Sequence, residues 1–306
     1  MTTLVFGHKS PDTDSTGSPI AWAWYLSEVV GTPAKPVLLG TANTEAAFMV
    51  ERWGLDMPEI VADVTDGQAC VVVDTNNPAE LPDNIANADV QQIIDHHKLT
   101  GGLETKGPID ITIRPLACTA TIMADMMGQS LSAAPDGIKG AMLTCILSDT
   151  LEFRSPTTTD HDRAVAERLA EDLGVSIPEL AEAMFAAKSD VSAFSEAELL
   201  RMDSKEYAVE GTAFRVSVLE TTSPATVLDR KAALMEAMPT VASEDGVAQV
   251  LLFVVDILNE EATLLVPNDL VKTVAEKSFG AEVSGDDVVL PGIVSRKKQI
   301  IPALKL

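Results

Sequence analysis

The 306-residue chain has few aromatic and few basic side chains. Aromatics make up 4%, and 22 Lys and Arg stand against 46 Asp and Glu, a net charge of −24. Acid in such excess repels a phosphodiester backbone, which argues against a nucleic-acid partner. No run of eighteen apolar residues occurs, which argues against a membrane-spanning helix. No charged and then apolar leader precedes the first strand-like run, so a cytoplasmic protein is expected. The three cysteines (Cys70, Cys118 and Cys145) lie far apart in apolar contexts. They read as reduced core residues, not as a disulfide frame or a zinc site. A Walker A loop and a dinucleotide glycine fingerprint are both missing, and Gly101-Gly102 reads as a turn.

What is present is an alternation of apolar runs and helical segments. Residues 3–6, 35–39, 69–74 and 90–95 read as buried parallel strands, and 109–114 as an edge strand. Between and after them, helices are expected over 19–30, capped by Ser18 and Pro19, then over 43–53, 119–127 and 136–147. Two more follow, one capped by Asp160 and running to 173, the other capped by Ser176 and ending near Lys188. Residues 189–195 break the alternation and read as a linker. Beyond it lie two hairpins, 207–219 and 250–266, and helices over 224–237 and 268–279. The expected fold class is α/β, with an N-terminal doubly wound, mainly parallel sheet domain over residues 1–188. A smaller C-terminal mixed-sheet α/β domain spans 196–306.

The polar ends of the first-domain strands carry the chemistry. His8, Asp12 and Asp14 follow strand one. Asp74 ends the run 69–74, Asp95, His96 and His97 end the run 90–95, and Asp149 follows a helix. In a parallel sheet all these ends share one edge, where ligands bind. So many carboxylates cannot converge without counter-charge. Carboxylate and imidazole without thiolate suits Mn²⁺, with Co²⁺ or Mg²⁺ as competitors. Two such ions ~4 Å apart can share an aspartate and a hydroxide placed for in-line attack on phosphorus. The alternative for the His8–Asp14 loop is a polar turn in which Asp12 and Asp14 cap amides and Pro11 sets the bend.

Arg296-Lys297-Lys298 is a dense basic cluster in an acidic chain. It reads either as a solvated tail or as a phosphate pocket, since a guanidinium fork beside an ammonium suits phosphate. Lys205 is uninformative alone. His161 reads as part of a helix start, and Trp22, Trp24, Trp53 and Met123, Met126 and Met127 as packing.

Taken in order, Gly7–Ser15, Val73-Asp74, Asp95-His96-His97, Ser148-Asp149-Thr150 with Phe153–Thr158, and Ser295–Gln299 resemble the family II inorganic pyrophosphatases of the DHH phosphoesterase superfamily. The resemblance implies hydrolysis of pyrophosphate to two orthophosphates by a metal-bridging hydroxide. It implies two Mn²⁺ per subunit, with Co²⁺ or Mg²⁺ possible, and further Mg²⁺ carried by the substrate. His8 and Asp12 would hold one ion, Asp14, His96 and Asp149 the other, and Asp74 both. His97, Lys205, Arg296 and Lys297 would bind substrate and, together with Asp14, act in catalysis, with the active site in a cleft between the domains that closes through 189–195. A homodimer through N-terminal sheet edges is also implied. Thr75 departs from the histidine the family often has after this aspartate. Two other readings remain: a DHH phosphoesterase acting on polyphosphate, short oligonucleotides or a cyclic dinucleotide, and a non-catalytic metal or nucleotide sensor.

Overall fold

The computed structural model describes residues 2–306, and the chain divides into two compact units, residues 1–188 and 189–306. In the first, six short runs form one sheet. They are β1 (Thr3–Phe6), β2 (Ala34–Leu38), β3 (Glu59–Ile60), β4 (Ala69–Val73), β5 (Asp89–Asp95) and β6 (Asp110–Ile113). Every pairing is parallel, in the order β3-β2-β1-β4-β5-β6. The chain fills one half of the sheet outward from β1, then returns to β4 and fills the other. The C-terminal ends of β1 and β4 therefore flank the point where the winding reverses, where an open α/β sheet leaves a crevice. β1 is buried along its whole length, as its unbroken apolar run requires.

Six helices complete the unit: α1 (Thr13–Trp24), α2 (Thr44–Arg52), α3 (Thr119–Met127), α4 (Asp136–Asp149), α5 (Asp160–Leu173) and α6 (Ile177–Lys188). Helix α1 starts six residues before the expected position. Asp12 is its N-cap, accepting from Ser15 N at 3.0 Å, and Pro19 sits inside the helix at the cost of one backbone hydrogen bond. Burial decides this. Residues 13–23 are all buried, and a side chain at Gly17 would overlap Cys145 of α4. Gly7 is needed for a similar reason. Any Cβ there would overlap Ser15, whose hydroxyl accepts from His8 N at 2.7 Å and fixes the turn after β1. Helix α5 is capped by Thr159, not Asp160, in a reciprocal box with Asp162.

The second unit contains β7 (Ser204–Val209), β8 (Thr212–Thr221), β9 (Gln249–Asp256), β10 (Glu261–Leu265) and β11 (Asp287–Pro291), ordered β11-β10-β9-β8-β7. Only β8 and β9 are parallel, so the sheet is mixed. Its helices are α7 (Glu196–Met202), α8 (Ala225–Leu228), α9 (Lys231–Glu244) and α10 (Asp269–Phe279). The central strand β9 is fully buried and alternates between two cores. Val250, Leu252 and Val254 pack with Leu199, Leu234 and Met238. Leu251, Phe253 and Val255 pack with Phe214, Val271 and Val274. The single helix expected over 224–237 is broken in two. At the break Arg230 donates to the carbonyls of Val191 and Phe194 and pairs with Glu196.

Candidate metal centre

Each predicted ligand is delivered by a definable backbone device. His8 follows β1. Asp12 caps α1, and Asp14 lies in its first turn. Asp74 directly follows β4 with φ 58, a left-handed backbone that costs a non-glycine residue free energy. His96 and His97 follow β5, and Asp149 ends α4. After Asp149 the residues Leu151, Glu152 and Phe153 all have positive φ, so the helix is stopped by a left-handed run with no glycine in it.

The fold brings these groups together. His8 Nε2 lies 3.6 Å from Asp12 Oδ2 and 3.5 Å from Asp74 Oδ2. His96 Nε2 lies 3.3 Å from Asp74 Oδ1, and His97 Nδ1 lies 3.8 Å from the same oxygen. Three overlapping sets have ligand atoms mutually within 4.8 Å: His8, Asp12 and Asp74; Asp14, His96 and Asp149; and Asp74, His96 and His97. Asp74 and His96 each belong to two sets. Asp14 and Asp74 are each only 1% exposed, and the Thr119 amide and hydroxyl donate to them at 2.7 and 3.2 Å.

The electrostatics are those of a site built for cations. Burial, then the Asp14 and Asp12 carboxylates, push Asp74 well above the usual carboxylate range. Burial, then Asp14 and Asp74, do the same to Asp149. Burial opposes charge at His8, but the hydrogen bond to Asp12 and the charges of Asp12, Asp74 and Glu80 outweigh it and raise the imidazole. Asp12 is lowered in turn, because bonds from His8 and the Ser15 amide overcome its burial. Asp149 Oδ2 is buried without a hydrogen-bond partner, an open acceptor position of the kind a cation satisfies. The histidines are preset too. His96 Nδ1 lies 3.2 Å from the Leu116 carbonyl, which can only accept, so Nε2 keeps its lone pair for a ligand. The donor set is carboxylate and imidazole with no thiolate, which fits Mn²⁺, Co²⁺ or Mg²⁺.

His97 is exposed and is held by Asp95. Asp95 Oδ1 accepts from His97 N at 3.0 Å and faces Nδ1 at 2.9 Å, and Asn76 donates to Oδ2 at 2.5 Å. The bond to Asp95 is the main reason the His97 imidazole is raised. Thr75 turns away from this network and donates to Glu80 at 2.6 Å. In the second unit Lys205 is exposed on β7. Arg296 Nη1 bonds both the carbonyl and the carboxylate of Asp203 at 2.8 Å, which places the guanidinium beside the start of β7. Lys297 is exposed in the same terminal helical turn, whose N-cap is Ser295. His161 pairs with Asp125 at 2.9 Å, away from all three ligand sets. One contact to the ligands carried no sequence signal: the Thr119 hydroxyl, which donates to Asp74.

Residues 2–150 match the DHH family, N-terminal domain, and residues 182–306 match the DHHA2 domain. A Deinococcus radiodurans protein described as a probable manganese-dependent inorganic pyrophosphatase is 40% identical over 307 residues, covering 98% of this chain and 97% of that protein. A Lactobacillus helveticus protein of the same description is 34% identical over 303 residues, again with 98% and 97% coverage. Among solved structures, a Methanococcus jannaschii chain described as a family II inorganic pyrophosphatase superposes with a TM-score of 0.61 at 31% identity. It covers 99% of this chain and 98% of that one.

Proposed function

The chain belongs to the family II inorganic pyrophosphatases of the DHH superfamily, and from that premise we propose that it hydrolyses inorganic pyrophosphate to two orthophosphates with Mn²⁺. One observation carries the reading. Two buried aspartates, Asp14 and Asp74, and the half-buried Asp149 converge with His8, His96 and His97 beside the ends of β1 and β4. Such a cluster suits two divalent ions, one held by His8, Asp12 and Asp74 and the other by Asp14, His96, Asp149 and Asp74.

Bound ions of this kind lower the pKa of water toward neutrality and offset charge on phosphoryl oxygens. The protein's own groups do the rest. The rigid ends of β1, β4 and α4 hold the ligands in place, so no reorganisation is needed during reaction. With Nδ1 committed to Asp95, His97 keeps Nε2 free to hold a proton against a substrate oxygen or pass it to the departing phosphate. Lys205, Arg296 and Lys297 neutralise the charge of pyrophosphate, which enters as its magnesium complex. The guanidinium of Arg296 must exchange Asp203 for phosphate. We place the enzyme in the cytoplasm, in keeping with its three free buried cysteines. We further propose that it forms a homodimer through the first unit's β6 edge, where Ile111 is 54% exposed.

The test is phosphate release by metal-stripped protein titrated with Mn²⁺, Co²⁺, Mg²⁺ or Zn²⁺, using pyrophosphate and, in parallel, a dinucleotide phosphodiester. Turnover of pyrophosphate, highest with Mn²⁺ or Co²⁺, is expected. Cleavage of the phosphodiester alone would reassign the chain to another DHH activity, and binding without turnover would make it a sensor.

A further inference from the structure

Glu45 has no role in the scheme above, yet it is the most unusual acid in the first unit. It lies in the first turn of α2 with 0% exposure. One oxygen, Oε2, is within bonding distance of three donors: the Thr13 hydroxyl at 2.8 Å, the Ser148 hydroxyl at 2.7 Å and the Lys188 ammonium at 3.2 Å. The other, Oε1, is buried without a partner. A carboxylate buried on these terms is costly unless it holds something in place. The helix terminus does not require it, since Asn43 already caps α2 through the Ala46 amide at 2.8 Å.

The two hydroxyls explain the position. Thr13 stands between Asp12 and Asp14 in the chain, and Ser148 directly precedes Asp149. The first opens α1 and the second lies at the end of α4, the two segments that supply Asp14 and Asp149 to one ligand set. Those two carboxylates repel each other. Helix α4 packs on α1, and Cys145 Sγ of α4 reaches the Thr13 carbonyl at 3.2 Å, but that contact lies a turn away from Asp149; Glu45 adds a link through the residue next to each carboxylate. Resting on the two-metal reading above, we infer that Glu45 is a positioning residue: it clamps Thr13 to Ser148 and so fixes the spacing of the Asp14–His96–Asp149 set. Lys188 offsets its charge.

Mn²⁺ dissociation constants for metal-stripped full-length protein, read from the electron-paramagnetic signal of free Mn²⁺ well below any unfolding transition, test this. Glu45→Ala weakens Mn²⁺ binding about 10- to 100-fold, the usual range for groups that orient ligands. Glu45→Gln, whose amide oxygen still accepts both hydroxyls, restores most of the affinity. Thr13→Val and Ser148→Ala each weaken binding several-fold, and together less than the product of the two, because both act through one carboxylate. A Glu45→Ala protein with lowered melting temperature and wild-type Mn²⁺ affinity would overturn the inference. Should that variant fail to fold, unchanged affinity in both hydroxyl variants overturns it equally. Failure of the wild type itself to bind Mn²⁺ would instead sink the two-metal reading on which the inference rests.

Discussion

Replacing Asp74 with Asn separates the electrostatic argument from a merely structural one. In the metal-free protein Asp74 is buried among like charges. Two carboxylates 5 Å apart repel by about 3 kcal/mol at an effective dielectric near 20. Burial and these like charges raise the folded value of Asp74 above its unfolded one. The native state therefore binds more protons than the unfolded state, from the ordinary carboxylate range near 3.9 up to the raised value. Metal-free stability falls as pH rises through that window, by up to about 1.4 kcal/mol per pH unit. Asn fills the same space, needs no proton and accepts from Thr119. Without metal, Asp74→Asn is thus at least as stable as the wild type, and its advantage grows as pH rises from the ordinary carboxylate range toward the raised folded value. Mn²⁺ reverses the order. At 100 times its dissociation constant, one ion stabilises the native state by about 2.7 kcal/mol. For a unit of this size that is a rise of roughly 5–10 °C, which the variant loses in large part. Scanning calorimetry of stripped protein from pH 6 to 8.5, with and without Mn²⁺, reads both effects. A variant less stable than wild type without metal, yet with the full Mn²⁺ shift, would refute the reasoning.

Three further outcomes are expected. Arg296→Lys raises KM for pyrophosphate by about tenfold, because an ammonium cannot form the paired bonds of a guanidinium, and leaves the Mn²⁺-induced melting shift unchanged. Steady-state kinetics and calorimetry check the two halves. Bonds from Arg201, then Arg215, lower Asp245 against its slight burial, so its contribution is present above the unfolded carboxylate range and is lost as pH falls through the folded value. Asp245→Asn is therefore less stable than wild type at pH 7 in urea unfolding, with the gap closing as pH drops below about 4. Phe253→Ala, at a fully buried position in the β9 core, costs about 3–5 kcal/mol, measurable as a fall in the urea midpoint of the second unit.

The convergence of the candidate ligands was legible in the sequence because their chemistry and placement coincide. Asp and His directly after apolar runs have few other reasons to be there, and a parallel sheet gathers such ends on one edge. The start of α1 was not legible. Ser18-Pro19 is a sound local capping signal, and what overrides it is the burial of residues 13–18, a tertiary fact. Helix α7 could have been read, since Ser195 and Glu198 have the spacing of the capping box the structure contains. Glu45 was beyond reach. A glutamate in a first helical turn is ordinary, and its partners lie 32, 103 and 143 residues away. The same holds for Arg296, whose bond to Asp203 spans 93 residues.

The reversal of winding between β1 and β4 has a consequence for how the protein acquires its metals. Asp14, His96 and Asp149 lie far apart in the chain and come together only after β4 has paired with β1, β5 has paired with β4 and α4 has packed on α1. A zinc finger can recruit its ion to a short segment and fold around it, but no short segment here offers a finished site. The first unit must therefore assemble its acidic crevice before any ion can be fully held, and the burial that raises Asp74 and Asp149 lowers the cost of doing so. Every residue of the three candidate ligand sets is synthesised before residue 150, ahead of the second unit. On the two-metal proposal, a nascent chain with its first unit out of the ribosome already carries all the proposed ligands, so loading would precede the appearance of Lys205, Arg296 and Lys297.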